Sequence, residues 1–196
     1  MLTSRDEVLN AVKASQPAFM AAPDISFFKG NNDNVIEKFT ETLSAIGGMV
    51  VTVKTMADIR YHVLKNMDHG GRNITTVPLL GDIMETIHKG HPDAHSLQNV
   101  DNAIIEAHFG VAENGAVWVT EDILMLRVLP FICQHLAVIV NANDIVSTMH
   151  EAYARIGNTS YDFGTFIAGP SKTADIEQSL VLGAHGPRSM TVFLMV

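Results

Sequence analysis

Short β-branched runs alternate with helix-patterned stretches along this chain, and that alternation constrains the fold more than any other feature. Strand-like runs fall at residues 49–53, 74–77, 135–140, 165–168 and 190–195. Helical patterns fall among them, at residues 33–46, 55–67, 81–89, 143–156 and 173–182. Strands separated by helices of about 10–15 residues imply a mostly parallel open α/β sheet flanked by helices. The clearest helix lines up Val35, Ile36, Phe39, Leu43 and Ile46 and stops at Gly47-Gly48, because paired glycines end helices. Residues 90–99 read as loop, and residues 100–109 as a weak amphipathic stretch. Asn114-Gly115 between apolar runs is the strongest turn signal, and it predicts an antiparallel hairpin set into the parallel scheme.

The chain divides at about residue 32. Ser4-x-x-Glu7 is a capping box that opens a helix reaching Ser15, and Pro17, Pro23 and Gly30 mark a connecting arm. Residues 1–32 are therefore expected to be an N-terminal helix and arm, free to pack on the body or on a partner. Residues 33–196 are expected to form a single domain.

Composition removes several classes of function. Thirteen basic residues against 21 acidic ones give a net charge of −8, a poor match for nucleic acid. Cys133 is the only cysteine, so no intrachain disulfide and no cysteine-ligated cluster can form within this chain. That usage and a polar N-terminus point to a cytoplasmic protein. The longest apolar run, residues 136–140, is far short of the roughly 20 residues of a membrane helix. His88, His91 and His95 have near-helical spacing, but Gly90 and Pro92 break the helix that would align them. No metal site is expected.

Chemistry concentrates in three loops. Gly169-Pro170-Ser171-Lys172-Thr173 lies between a predicted strand and a predicted helix. Amides at a helix start, two hydroxyls and a lysine could hold an anion there, or the segment is a capped helix and nothing more. Gly183-Ala184-His185-Gly186-Pro187-Arg188 is a second tight loop, whose His185 could act as acid or base and whose Arg188 could bind a carboxylate or phosphate. Glu113, beside Asn114-Gly115, is either a general base or nucleophile or a solvated turn residue.

The order of these segments carries a family resemblance. G-P-S-K-T-A-D-I-E, then V-L-G-A-H-G-P-R, then a closing apolar strand resembles the signature of the LUD domain, the lactate-utilisation protein C family. Phe109-Gly-Val-Ala-Glu113-Asn-Gly-Ala116 resembles that family's G-x-A-E-T-G-T segment. Arg127-Val-Leu129-Pro130 resembles its R-x-L-x-L-L-P element, and the strand from His135 resembles its H/Y-I-A-V-V strand. Asn114 and Ala116 replace the usual threonines, and Lys172 stands where arginine is common.

The resemblance implies a fold akin to the sugar-phosphate isomerase and CoA-transferase-like proteins. It implies a part in oxidising L-lactate to pyruvate beside iron–sulfur partner proteins, with any cluster held by the partner. A small anionic metabolite is expected between the loops carrying Glu113, Arg127, Lys172, His185 and Arg188, with Gly169, Ser171 and Thr173 contributing. Two other readings stand beside it: an acyl/CoA-transferase-like or folate cyclo-ligase-like enzyme using Glu113, and a metabolite-sensing module without turnover. A homo-oligomer is compatible with all three.

Overall fold

The computed structural model describes every residue except 1–2, 26, 28–29, 31–32, 67–70, 88–92 and 174–180. In chain order the strands are β1 (Met49–Val53), β2 (Arg72–Thr75), β3 (Glu85–Thr86), β4 (Val100–Glu106), β5 (Phe109–Val111), β6 (Ala116–Thr120), β7 (His135–Asn141), β8 (Ile145–Val146), β9 (Gly164–Ile167) and β10 (Ser189–Met195). The helices are α1 (Ser4–Ala14), α2 (Val35–Ala45), α3 (Met56–Asn66), α4 (Glu121–Leu124), α5 (Leu129–Ile132) and α6 (Met149–Ile156). Six strands pair in the order β1-β10-β7-β4-β2-β3, all parallel. The other four form a second sheet, β8-β5-β6-β9, built around the antiparallel β5–β6 hairpin.

Alternation along the parallel strands divides the apolar residues between two faces. Val192, Leu194, Val138 and Val140 meet Phe39 and Leu43 of α2 and Val117 and Val119 of the second sheet. Val53, Phe193, Ala137 and Ile139 meet Ile59 and Val63 of α3 on the opposite face. The second sheet turns its other side, with Phe109, Val111 and Trp118, toward Ala152 and Ile156 of α6. The layers are therefore α3, parallel sheet, α2 with the second sheet, and α6.

Three segments depart from the sequence expectation for identifiable reasons. Residues 100–106 are β4, a strand in the middle of the parallel sheet. Burial on both faces erases the alternation that marks a half-exposed strand. Its polar Asn102 is satisfied across the sheet by Asn73 Oδ1 at 2.7 Å. Residues 81–87 form a turn and the two-residue β3 instead of a helix. Arg72 holds β3 in register through a two-pronged ion pair to Glu85, at 2.9 and 2.7 Å. The helix expected from residue 143 begins only at Met149. Residues 145–146 are recruited as β8 beside β5, and Thr148 then caps α6 by accepting the Glu151 amide at 3.2 Å. At the N-terminus, the capping box is made by Thr3 and Asp6, one residue earlier than the sequence pattern places it.

Candidate functional site

The hairpin tip at residues 112–115 is pressed against α2. Gly115 has φ +68°, and a Cβ there would stand 2.9 Å from the Leu43 backbone, so glycine is required by both conformation and space. Asn114 Oδ1 accepts the Ala116 amide at 3.0 Å and fixes the turn. Glu113 is exposed, and its Oε2 accepts the Met149 amide at 2.7 Å. The carboxylate thus sits at the start of α6, where its charge complements the helix dipole.

The two C-terminal loops pair with each other. Lys172 and Leu182 form an antiparallel bridge. Ser171 donates its amide to Pro187 O at 2.8 Å, Thr173 donates to Val181 O at 3.1 Å, and Gly183 donates to Ser171 O at 3.0 Å. The central residues of the helix expected over 173–182 lie outside the described residues, but its ends are extended and paired. The amides of Ser171 and Thr173 are thereby engaged within the loops, unlike the free donors of a helix start. Strand β9, which leads into this region, belongs to the second sheet. The loops run from it to the amino edge of the parallel sheet, where Arg188 donates its amide to Gln134 O at 2.7 Å. They do not line the carboxyl edge, where open α/β sheets form ligand crevices.

Gly169 leaves β9 with φ +71° beside Ile46. Gly183, at φ +81°, lies under the Arg188 side chain. The Lys172 ammonium sits beside Gly47, with Nζ 3.6 Å from the position of a Cβ. That is just past the end of α2, whose last turn has no basic residue of its own, so Lys172 supplies the cation that this end of the dipole favours. His185 is exposed on the second loop.

Arg127 lies elsewhere. It borders a cavity of about 880 Å³ whose walls include His108, Trp118, Thr120, Arg155 and Phe163. None of Glu113, Lys172, His185 and Arg188 lines it. The floor is aromatic: Trp118 packs against Phe166 with centroids 4.6 Å apart and edge-on to Tyr161 at 5.4 Å. Arg127 pairs with Glu121 at 2.7 Å and lies 5.6 Å from the Phe163 ring centre. The hydrogen bond to Glu121 holds the guanidinium above its ordinary pKa. One fork is used on Glu121, and the remaining N–H groups can bind a second carboxylate. Arg155 pairs with Asp144 at 2.5 Å and stacks over Phe109, 5.0 Å from the ring centre.

A polar chain closes one side. The Thr120 hydroxyl donates to Asp122 Oδ1. His108 Nε2 stands 2.5 Å from the same hydroxyl oxygen. Since that hydroxyl has only one hydrogen, the ring contact is a donation from Nε2–H, which leaves Nδ1 of the neutral ring as its proton acceptor. The Thr120 hydrogen bond holds the Asp122 carboxyl below the usual range. The cavity thus combines a cationic fork, an imidazole of fixed tautomer and an apolar floor. Its lining also carries the carboxylates of Glu121, Asp122 and Asp162.

Sequence reasoning singled out Arg127 but not His108, Thr120 or Asp122, which line the same cavity. Their only signal is T-x-D at the end of an apolar strand, twelve residues past an isolated histidine. The histidine and the threonine meet because β5 and β6 pair antiparallel, with Phe109 opposite Trp118. Cys133 is buried, at 1% exposure, and burial pushes its thiol up to about 12, so it is inert as a nucleophile. His88 and His91 lie outside the described residues. Among the described residues, no helix is long and apolar enough to cross a membrane.

A mostly parallel sheet flanked by helices and joined to a hairpin-centred second sheet defines a mixed α/β protein. The LUD domain family model matches residues 82–195, and the chain belongs to that family. It is 25% identical over 142 residues to a lactate utilization protein C of Bacillus pumilus, covering 69% of this chain and 56% of that protein. It is 34% identical over 115 residues to a lactate utilization protein C of Geobacillus kaustophilus, covering 52% and 47%. The chain thus spans about half the length of the curated relatives it matches. A crystal structure of a DUF162 family protein from Deinococcus radiodurans superposes with a TM-score of 0.60 at 18% identity, covering 83% of this chain and 96% of that one. The fold expectation is met.

Proposed function

We propose that the chain serves in lactate utilisation, holding a small carboxylate metabolite such as a 2-hydroxy acid in the cavity at His108 and Arg127. Oxidation of L-lactate to pyruvate releases two electrons and two protons, and in this reading an iron–sulfur partner protein receives the electrons while the protons leave to solvent, the hydroxyl proton by way of His108. In this reading Arg127 binds the carboxylate and His108, on the same cavity wall, takes the proton of the 2-hydroxyl group. The observation that carries the reading is that the whole cavity wall, residues 108–163, falls inside the segment shared with the family. The names of the two relatives supply the pathway.

The experiment is a chromosomal deletion of the chain, tested for growth on L-lactate and on pyruvate. The deletion should abolish growth on L-lactate and leave growth on pyruvate intact. A wild-type copy should restore it, and an Arg127→Ala copy should not. Undiminished growth of the deletion strain on L-lactate contradicts the pathway. Full rescue by Arg127→Ala contradicts the cavity.

A further inference from the structure

We propose that the cavity between α3 and the amino end of the parallel sheet is a second ligand site, built for an uncharged ring that carries adjacent hydroxyl groups, as a free sugar or a nucleoside does. The inference is independent of the reading above.

Parallel strands covered by helices are normally apolar along their length. On the α3 face that holds for the row Val51, Phe193 and Ile139, which stand opposite one another on β1, β10 and β7. They pack with Ile59 and Val63 of α3. Nearer the amino ends, a second row crosses β10, β7, β4 and β2 through Ser189, His135, Asn102 and Asn73, each paired with the next. Every member of this row forms hydrogen bonds through its side chain. Asn102, only 6% exposed, shows that the row is more than a set of solvated strand ends.

The row borders a cavity of about 340 Å³, inside the range of roughly 300–1,000 Å³ typical of small-molecule sites. Helix α3 supplies the facing wall with His62 and Asn66, whose spacing puts both on one side of the helix. The His62 ring rests against Phe193, with centroids 6.0 Å apart. His135 Nδ1 lies 2.7 Å from the Ser189 hydroxyl oxygen, which leaves Nε2 for a ligand. Asn102 donates from Nδ2 to Asn73 Oδ1 at 2.7 Å, which leaves its own carbonyl oxygen as an acceptor. Asp101 Oδ2 accepts the Arg72 amide at 2.8 Å, and its second oxygen remains an acceptor beside the row.

These groups select the ligand by their chemistry. Among the described residues no lysine or arginine lines the cavity, and its one carboxylate is Asp101, so an anion would meet no counter-charge. Hydroxyl, neutral imidazole and amide side chains each donate and accept at once. The ligand group with the same double capacity is a hydroxyl. Ser189 and His135, already in contact, can receive two neighbouring hydroxyls, and Asn102 and Asp101 can receive a third. Val51, Ala137 and Phe193 line the same space and suit the apolar face of a ring. From Ser189 to Asn102 the row covers two strand spacings, about 10 Å, the length of a sugar ring with one substituent. The cavity shares no lining residue with the one at Arg127.

The test is NMR titration of the full chain with D-ribose, D-glucose and adenosine, read on the histidine ring signals. At least one probe should bind at millimolar concentration and shift the signals of His62 and His135. Binding of adenosine alone assigns a nucleoside site, and binding of the sugars alone assigns a sugar site. Ser189→Ala and His135→Gln should each weaken binding about threefold to tenfold, with circular dichroism confirming an intact fold, and Arg127→Ala should leave it unchanged. Probes without adjacent hydroxyls, 2′,3′-dideoxyadenosine for the nucleoside and tetrahydropyran-2-methanol for the sugars, should bind far more weakly. No binding by any of the three probes, affinity indifferent to both substitutions, or equal binding of the stripped probes would each overturn the proposal. So would nuclear Overhauser contacts from the Val8 or Val12 methyls to the His135 ring in the free chain, because the N-terminal arm would then fill the cavity.

Discussion

The paired loops at residues 169–173 and 181–188 and the cavity behind β6 both bring cations into an acidic chain, yet they use them differently. In the loops the amides are bonded across the pair, and Lys172 lies at the end of α2. In the cavity, Arg127 and His108 border open space on an aromatic floor. The more conspicuous motif therefore shapes the chain, and the less conspicuous residues form the pocket. Glycine and proline dominate a motif because a backbone needs them, whereas a ligand site needs convergence, which sequence spacing does not display.

The contrast has measurable edges, and the largest concerns the cavity floor. Trp118 is 7% exposed and packs on Phe109, Tyr161 and Phe166. Trp118→Ala should cost about 3–5 kcal/mol in urea unfolding and abolish any binding in the cavity with it. Smaller is Gly183→Ala, where φ is +81° and the new Cβ would stand 2.3 Å from Arg188 Cγ. The strain should cost about 1–3 kcal/mol while leaving affinity for the proposed metabolite unchanged, as expected of a loop whose amides are bonded across the pair. A loss of affinity with an unchanged unfolding curve would return that loop to the status of a site. Smallest is Lys172→Ala, which removes a cation from the end of α2 and should cost about 0.3–1 kcal/mol, shrinking as salt is added.

Much of the fold was legible because local rules and the tertiary fold agree. Strand β1 and helix α2 follow their apolar periods closely, and the Asn114-Gly115 turn makes the expected hairpin. The failures occur where tertiary pairing overrides a local pattern: β4 is buried on both sides, β3 is held by Arg72, and β8 is taken from a helical stretch by β5. The site was less legible for the same reason. Arg127 stands in a recognisable element, but its neighbours arrive from β5, β6 and the segment after α6. Glu113 looks like a loop carboxylate available for chemistry, and the Met149 amide at 2.7 Å shows it engaged at a helix start.

Calorimetric titration of pyruvate and L-lactate at fixed low salt tests the central claim most directly. The proteins compared are the wild type, Arg127→Ala and the double variant Lys172→Ala with Arg188→Ala. A hydrogen bond to a charged group is worth about 1.5–3 kcal/mol, so Arg127→Ala should weaken binding roughly tenfold to a hundredfold. The double variant should bind as the wild type does. Binding that survives Arg127→Ala and disappears in the double variant would place the metabolite on the paired loops and contradict this account.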